Sequence, residues 1–485
     1  MSLRPSIVAL AAAALLSACA VGPDYVRPTL PVPAAYKESS AWKPAQPQSA
    51  GSGLAWWQAY GDATLNGLMN DAQAANQNIR QAEATYRQAR ALADADRAGL
   101  FPTLGIDAGF ARAQSNTTGK TKVANAASLG LAGSWEPDLW GSVRRTIESG
   151  NAAAQASADD LAAARLSIQT TLAQDYVSLR IADQQRDLYD DTVAAYTKAL
   201  KLTRAQHSAG VALQSDVALA EAQLAQAQAA NVDLEATRTQ LEHAIAVLTG
   251  RAPAQFSLAR LAAGDAQAAE PQLPATPAGL PSELLEHRPD IAGAERRAAA
   301  ANANIGVAKA AYFPQLTLSG NGGFSAAALG SLFDTPARVW SIGAALAETL
   351  FDGGLRSARV AQAEAAFDVT VAQYKETVLG AFQQVEDQLA LLRLLDQESA
   401  LQAQAVRASQ QAERLALAQY RAGTGSYLAV VTAQTLSLTN QRTAVSLRGR
   451  QLAASVSLVA ATGGGWSASD PLAAAPAASS ASQPQ

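Results

Sequence analysis

Two periodicities run along the chain. Phe367, Val371, Tyr374, Val378, Phe382, Val385, Leu389 and Leu392 recur every three or four residues, the apolar stripe of one long helix. Leu161, Leu172, Tyr176, Leu179, Val193, Tyr196 and Leu200 make a matching stripe. The positions between them are Ala, Gln, Asp, Glu and Arg, all compatible with helix. Elsewhere the period shortens to two. Leu104, Ile106, Ala108 and Phe110 alternate with Gly105, Asp107 and Gly109, and Leu129, Leu131, Gly133 and Trp135 form a second series. Leu316, Leu318 and Gly320, then Trp340, Ile342, Ala344 and Leu346, repeat the pattern. Each stretch is about ten residues, the length and alternation of a membrane-spanning strand.

The pattern is written twice. Leu100-Phe101-Pro102-Thr103-Leu104 corresponds to Tyr312-Phe313-Pro314-Gln315-Leu316, with Pro102 and Pro314 212 residues apart. The same offset relates Ile79 to Ile291, Glu83 to Glu295, Gly141 to Gly353 and Arg144 to Arg356. Ala209-Gly210 and Leu248-Thr249-Gly250 match Ala422-Gly423 and Ala461-Thr462-Gly463 at an offset of 213. Such a register marks an internal duplication, and each half folds as the same unit. Helices are expected at 65–99, 142–206 and 215–248, then at 290–311, 354–421 and 428–462. Strand hairpins fall at 103–138 and 315–351, and tip turns at 207–214 and 422–427. Repeat 1 covers 65–250 and repeat 2 covers 290–463. They are joined by an Ala-, Pro- and Gln-rich linker at 251–289, expected to wrap a helical tube at its equator.

A helix of about 65 residues spans about 97 Å. The two shorter helices of the first half, placed end to end, match that length, which suits the wall of a tube or a free coiled coil. Four strands cannot close a barrel, and an open edge does not survive in lipid. Membrane strands here therefore require assembly, with dimer, trimer and tetramer all open at this point. Ten of the 27 aromatics lie in windows 101–140 and 312–351, several near strand ends where interfacial girdles belong.

Composition narrows the chemistry. The net charge of −4 is unsuited to nucleic acid, and charged residues are only 16% of the chain. One Cys, three His and two Met offer little for metal or catalytic work. His207, His243 and His287 lack metal-ligand spacing and are expected to be structural. Gly320-Asn321-Gly322-Gly323 and Gly463-Gly464-Gly465 lack a phosphate-binding context and read as turn and tail. Asp159-Asp160 and Asp190-Asp191 read as solvated helix surface. No cofactor and no enzymatic activity are expected.

Residues 1–18 carry Arg4, an apolar run from Ile7 to Leu16 and small residues before Cys19, the features of a secretory signal. Leu16-Ser17-Ala18-Cys19 resembles the bacterial lipobox, which implies cleavage before Cys19 and a covalent N-acyl and diacylglycerol lipid on it. A lipidated arm then covers 19–64, and 464–485 are expected to be a disordered tail.

Together these features closely resemble the outer-membrane factor family of TolC-like efflux channels, in its NodT-type lipoprotein branch serving resistance-nodulation-division pumps. The resemblance rests on Cys19-Ala20-Val21-Gly22-Pro23-Asp24-Tyr25-Val26-Arg27-Pro28, on Trp56-Trp57 with Leu65 and Leu68, and on Leu280-Pro281-Ser282-Glu283-Leu284-Leu285-Glu286-His287-Arg288-Pro289-Asp290-Ile291. It implies a mainly α fold with a small β part. A homotrimeric twelve-stranded outer-membrane barrel would be continued by a twelve-helix periplasmic tunnel. Cargo would arrive from an inner-membrane pump through a periplasmic adaptor. Gly210, Val211, Ala212 and Leu213, with Gly423, Thr424, Gly425 and Ser426, would be the tips that meet the adaptor. Tyr420 and Asp216 match a family tyrosine–aspartate latch, and Gly425 stands where some members carry an arginine. Ala429 and Thr432 occupy the positions of ring aspartates, so an acidic constriction is expected to be missing. The competing reading is a coiled-coil envelope lipoprotein without transport activity, which leaves the strands and the duplication unexplained.

Overall fold

The computed structural model describes residues 20–31, 33, 35–38, 55–117, 120–260, 273 and 287–466. The signal segment, Cys19, most of the inter-repeat linker including Leu280–Glu286, and the tail beyond Trp466 lie outside the described residues. Among those described, helices α1 (Ala63–Ala75) and α2 (Gln77–Ala98) precede strands β1 (Thr103–Thr117) and β2 (Lys120–Trp135). Helices α3 (Ser142–Ser208) and α4 (Gln214–Leu248) complete the first half. The second half runs α5 (Pro289–Ala310), β3 (Gln315–Ala326), β4 (Arg338–Ala347), α6 (Leu355–Arg421) and α7 (Tyr427–Ala461). The fold is mainly helical with one small sheet.

The duplication holds at the level of element ends. Both α2 and α5 have 22 residues, α3 and α6 have 67, and α4 and α7 have 35. Their starts keep the offset of 212 up to the sheet and 213 from the long helices onward. The slip falls at the second hairpin's exit, where Gly353 and Gly354 both take positive φ (+64° and +93°) and the first half has only Gly141 (+83°).

The chain divides into two compact units. The larger combines Pro31–Ala84, Asp159–Ala292 and Glu376–Gln485. Its core packs Tyr60, Leu65, Met69, Leu172, Tyr176 and Ile245, all buried, against Leu452 and Val456. The apolar stripe of α3 is thereby spent inside the protein, as its period requires. Asp62 caps α1 by accepting from Leu65 N at 2.9 Å, and also accepts the Tyr176 hydroxyl at 2.6 Å. Arg180 Nε donates to that hydroxyl oxygen at 3.0 Å.

The single first helix expected at 65–99 is broken at Asn76. This buried residue takes an extended conformation (φ −64°, ψ 129°), and its Oδ1 accepts from Asn78 N and Ile79 N at 2.9 and 3.1 Å. Its Nδ2 donates to Leu248 O at 2.8 Å. Asparagine is a strong N-cap, so it starts a second helix where periodicity alone continues the first. The first part of the linker is pinned to the helices: Arg180 and Arg238 donate to Ala259 O and Leu258 O at 3.1 and 2.5 Å. A further correction concerns the tail. Gly463 to Trp466 also belong to the packed structure, with Trp466 buried and a Cβ at Gly463 blocked by His287 O. Asp159 is buried, not solvated.

The smaller unit combines Met1–Leu30, Thr85–Ala158 and Gly293–Lys375. Its sheet is antiparallel in the order β1-β2-β3-β4. The strands have 15, 16, 12 and 10 residues, so the first hairpin exceeds the ten expected per strand. β2 pairs with β3 only from Ala127 to Trp135, and beyond that β1 and β2 continue as a two-stranded ribbon. Gly320 to Gly323, expected as a turn, lie inside β3 opposite Gly133 to Gly130. Glycine is required there by close approach, since a Cβ at Gly323 would sit 2.2 Å from Leu129 O.

Candidate functional site: the sheet face and the helix tips

Register assigns each side chain of the sheet to a face. Ile106 opposes Leu131, Ala108 opposes Leu129, and Leu129 opposes Phe324. Trp135 opposes Leu318, and Leu316 opposes Leu346. One face is thus apolar across all four strands, except where Arg338 opens β4 opposite Phe324. The other carries Asp107, Ser128, Ser134, Thr317, Ser319, Asn321 and Ser341, with glycines between them. The apolar face is bare in the single chain: Leu104 is 80% exposed, Ile106 72%, Trp340 77% and Ile342 83%. β1 and β4 each have one neighbour, so both outer edges present unpaired backbone groups. An apolar outside, a polar inside and two open edges are what a segment of a lipid-embedded barrel requires. Among the described residues no helix is long and apolar enough to cross a membrane.

The arm after Cys19 is fixed beside this sheet within the same unit. Val21 N donates to Trp140 O at 3.0 Å, and Arg145 reaches Val21 O and Asp24 Oδ1 at 3.3 and 2.9 Å. Gly22 (φ +107°) is packed so tightly that a Cβ would fall 2.4 Å from Gly306 Cα. Asn302 donates to Pro23 O at 2.9 Å, and Arg27 donates to the Tyr374 hydroxyl at 3.3 Å. Burial raises the Tyr25 hydroxyl well above its ordinary pKa, reinforced by its contact with Glu295.

Both tips are built by the same helix ending, in the larger unit. Gly210 (φ +75°) donates to His207 O at 2.9 Å, and Val211 donates to Gln206 O at 2.8 Å. Gly423 (φ +74°) donates to Tyr420 O and Thr424 to Gln419 O, both at 3.0 Å. This is the Schellman ending, in which a left-handed glycine lets the last carbonyls be satisfied. Val211 and Leu213 are 76% and 70% exposed, an apolar pair at the tip surface.

The following helices are capped by complementary means. Ser426 Oγ accepts from Ala429 N at 3.3 Å. Its counterpart Leu213 has no acceptor, and Asp216, three residues on, accepts from Leu213 N at 3.3 Å instead. Asp216 is the repeat counterpart of Ala429. The carboxylate is present where the cap residue is apolar and absent where serine does the work. Ala429 and Thr432 are exposed, and the Thr432 hydroxyl donates to Leu428 O at 2.9 Å. Exposed Glu221, one helical turn beyond Val217, pairs with Arg204 at 2.7 Å.

The expected latch is corrected. The Tyr420 hydroxyl donates to Gln206 Oε1 at 2.5 Å, while Asp216 serves the cap. Tyr420 packs with Leu200, Val217, Tyr427 and Val430, its ring 5.2 Å from that of Tyr427. Burial raises the Tyr427 hydroxyl above its ordinary pKa, with Tyr420 adding to the effect. Sequence reasoning missed Gln206. Its only signal was the alignment of Gln206-His207 with Gln419-Tyr420 across the repeat. A Cβ at Gly425 would lie 3.1 Å from Gln419 Cβ, so the turn is already close there.

The profile of the outer membrane efflux protein family matches residues 68–251 and 280–464, one match per repeat. The probable efflux pump outer membrane protein TtgC of Pseudomonas putida is 31% identical over 470 residues, covering 95% of this chain and 96% of that one. Outer membrane protein OprJ of Pseudomonas aeruginosa is 32% identical over 468 residues, with 95% and 96% covered. Among solved structures, the outer-membrane channel OprN superposes with a TM-score of 0.86 at 30% identity, covering 92% of this chain and 100% of that one.

Proposed function

The chain belongs to the outer membrane efflux protein family as an outer-membrane channel component of tripartite efflux, and from that premise we propose how its parts perform export. Three copies pair β1 of one with β4 of the next and close a twelve-stranded barrel. The observation that carries this reading is the sheet with one apolar face, one polar face and two open edges. Closure satisfies every backbone group that lipid would leave unpaired. The apolar face then meets the hydrocarbon, and the Ser-, Asn- and Gly-lined face meets water.

The helical part of the trimer forms a periplasmic conduit, and the tips at Gly210–Leu213 and Gly423–Ser426 receive the helical hairpins of a periplasmic adaptor. Exposed Val211 and Leu213 supply apolar contact, and the glycines fix the turn shape. The adaptor couples the channel to an inner-membrane resistance-nodulation-division pump, which supplies the energy. Small-molecule cargo passes through without covalent change, so the protein needs no cofactor beyond the lipid on Cys19. The bond from Tyr420 to Gln206 holds the two tips of a protomer together and favours the narrow entrance.

Export in cells tests this reading. A strain lacking its own outer-membrane channel, supplied with the pump, the adaptor and this chain, should lower its accumulation of a fluorescent pump substrate. Gly423→Val at equal trimer abundance should lose most of that effect. Unchanged accumulation with wild-type trimer in the outer membrane would refute the assignment.

A further inference from the structure

The apolar face of the sheet carries a groove of about 670 Å³. Gly133, Gly320 and Gly322 form its floor, and Trp135, Trp340 and Ile342 stand around it. The floor is open at Gly320, where a built Cβ would have nothing within 4 Å, and is bounded at Gly133 by Leu104, whose Cδ2 would lie 3.0 Å from a Cβ there. A trough therefore interrupts a face that elsewhere carries large side chains.

The start of the described chain lies close to the entry of β3, the strand that lines this groove from Leu318 to Gly322. Val21 N donates to Trp140 O at 3.0 Å, and Ala20 Cα lies 2.8 Å from where a Cβ of Gly141 would sit. The Trp140 ring stacks on Phe313 at 4.8 Å, and its Nε1 donates to Pro314 O at 2.7 Å. Pro314 leads directly into β3 at Gln315, and β3 supplies two of the three floor glycines. Only one peptide separates Ala20 from Cys19.

We propose that one acyl chain of the lipid on Cys19 occupies this groove, so that the lipid is seated on the protein's own strands. The proposal rests on the reading of Cys19 as lipid-bearing. Half of a bilayer core of about 30 Å is about 15 Å, the reach of one acyl chain. At about 3.3 Å per residue, that reach ends four to five residues above Gln315, at the glycine floor. Any acyl chain fits an apolar trough. The tethered one stays beside its site while free lipids exchange past it, because its attachment point is fixed next to the entry of β3.

Cells fed a palmitate analogue bearing a photoactivatable diazirine provide the test. The intact protein is irradiated and digested, and the Cys19 lipopeptide is searched for covalent partners by mass spectrometry. The expected partners are strand peptides containing 316–322 or 340–346. Gly320→Trp, which fills the trough, should lower that product by about tenfold, the change about 1.4 kcal/mol produces, while the lipopeptide mass stays unchanged. Gly322→Leu gives a second, milder filling. A lipidated Cys19 peptide joined only to phospholipid or to helix α3 in the wild type would overturn the proposal alone. A Cys19 peptide without lipid would overturn the acylation reading and the proposal with it.

Discussion

The Tyr420 hydroxyl and the Gln206 side-chain carbonyl meet at 2.5 Å, joining the last turn of α6 to the last turn of α3. Both residues also build their own turns. The backbone carbonyl of Gln206 accepts from Val211 and Ala212, and that of Tyr420 accepts from Gly423. Any movement that separates the two tips of a protomer must break this bond, and it cannot be replaced from Asp216 without uncapping α4.

Tyr420→Phe and Gln206→Ala should each raise the resting conductance of the trimer in planar bilayers. A neutral hydrogen bond contributes about 0.5–1.5 kcal/mol per protomer. The double variant should leak no more than the worse single one, because both remove the same bond. Asp216→Asn keeps an acceptor for Leu213 N and should leave conductance near wild type. Leakage from Asp216→Asn equal to that from Tyr420→Phe would return the latch to the aspartate.

Gly423→Val places a β-branched residue at φ +74° in open space. The cost is then backbone strain without collision, about 1–3 kcal/mol. Thermal unfolding should fall modestly while trimers still assemble. Gly425→Arg adds a close contact with Gln419 and should displace the turn, reducing export further at equal abundance. Equal export by both variants and wild type would detach the tips from partner contact.

Asn76→Ala removes the cap of α2 and the donor to Leu248 O. Loss of the cap costs about 0.5–2 kcal/mol, and the orphaned buried carbonyl adds about 1–3 kcal/mol. Asn76→Asp keeps the cap acceptor and loses the donor, so it should fall between. Chemical denaturation of the purified protein ranks the three. Equal stability of Asn76→Ala and wild type would remove the helix break from the account.

Acid stability should depend on Asp190. Burial alone would raise its pKa. Hydrogen bonds from Asn231 and Arg260, with the charges of Arg260 and Arg186, outweigh burial and lower it. A lowered carboxylate stabilises the fold above its unfolded pKa, roughly pH 4, and this stability is lost as pH falls through the folded value. Circular dichroism during acid titration should show a sharper loss for wild type than for Asp190→Asn. Coincident acid limbs would assign Asp190 no part.

The stripe of α6 from Tyr374 to Leu392 and the alternation from Leu104 to Phe110 were legible because burial and pleat impose strict periods. The duplication was legible because equal helices keep equal spacing. The break at Asn76 was hidden, since one capping side chain reverses the backbone without interrupting the apolar pattern. Gly320 to Gly323 misled for a related reason. Glycine marks a turn by composition, but here it answers to the backbone of a neighbouring strand. Gln206 was hidden because its partner is 214 residues away, and only the fold places their helix ends side by side. Asp216 was read as a latch residue, whereas its cap duty follows from the apolar Leu213 three residues before it.

The central claim is that copies of this chain close a water-filled barrel from their open-edged sheets. The most direct measurement is single-channel recording of the purified full-length protein in planar bilayers. Heat-resistant trimers on a gel should give discrete conductance steps of uniform size. Replacing Ser341 of β4 by proline deletes an N–H and should abolish both the trimer and the steps together, because closure gives β4 a neighbour on both sides and a strand so placed does not tolerate proline. Stable trimers that insert without any conductance, including in the Tyr420→Phe variant, would contradict the channel.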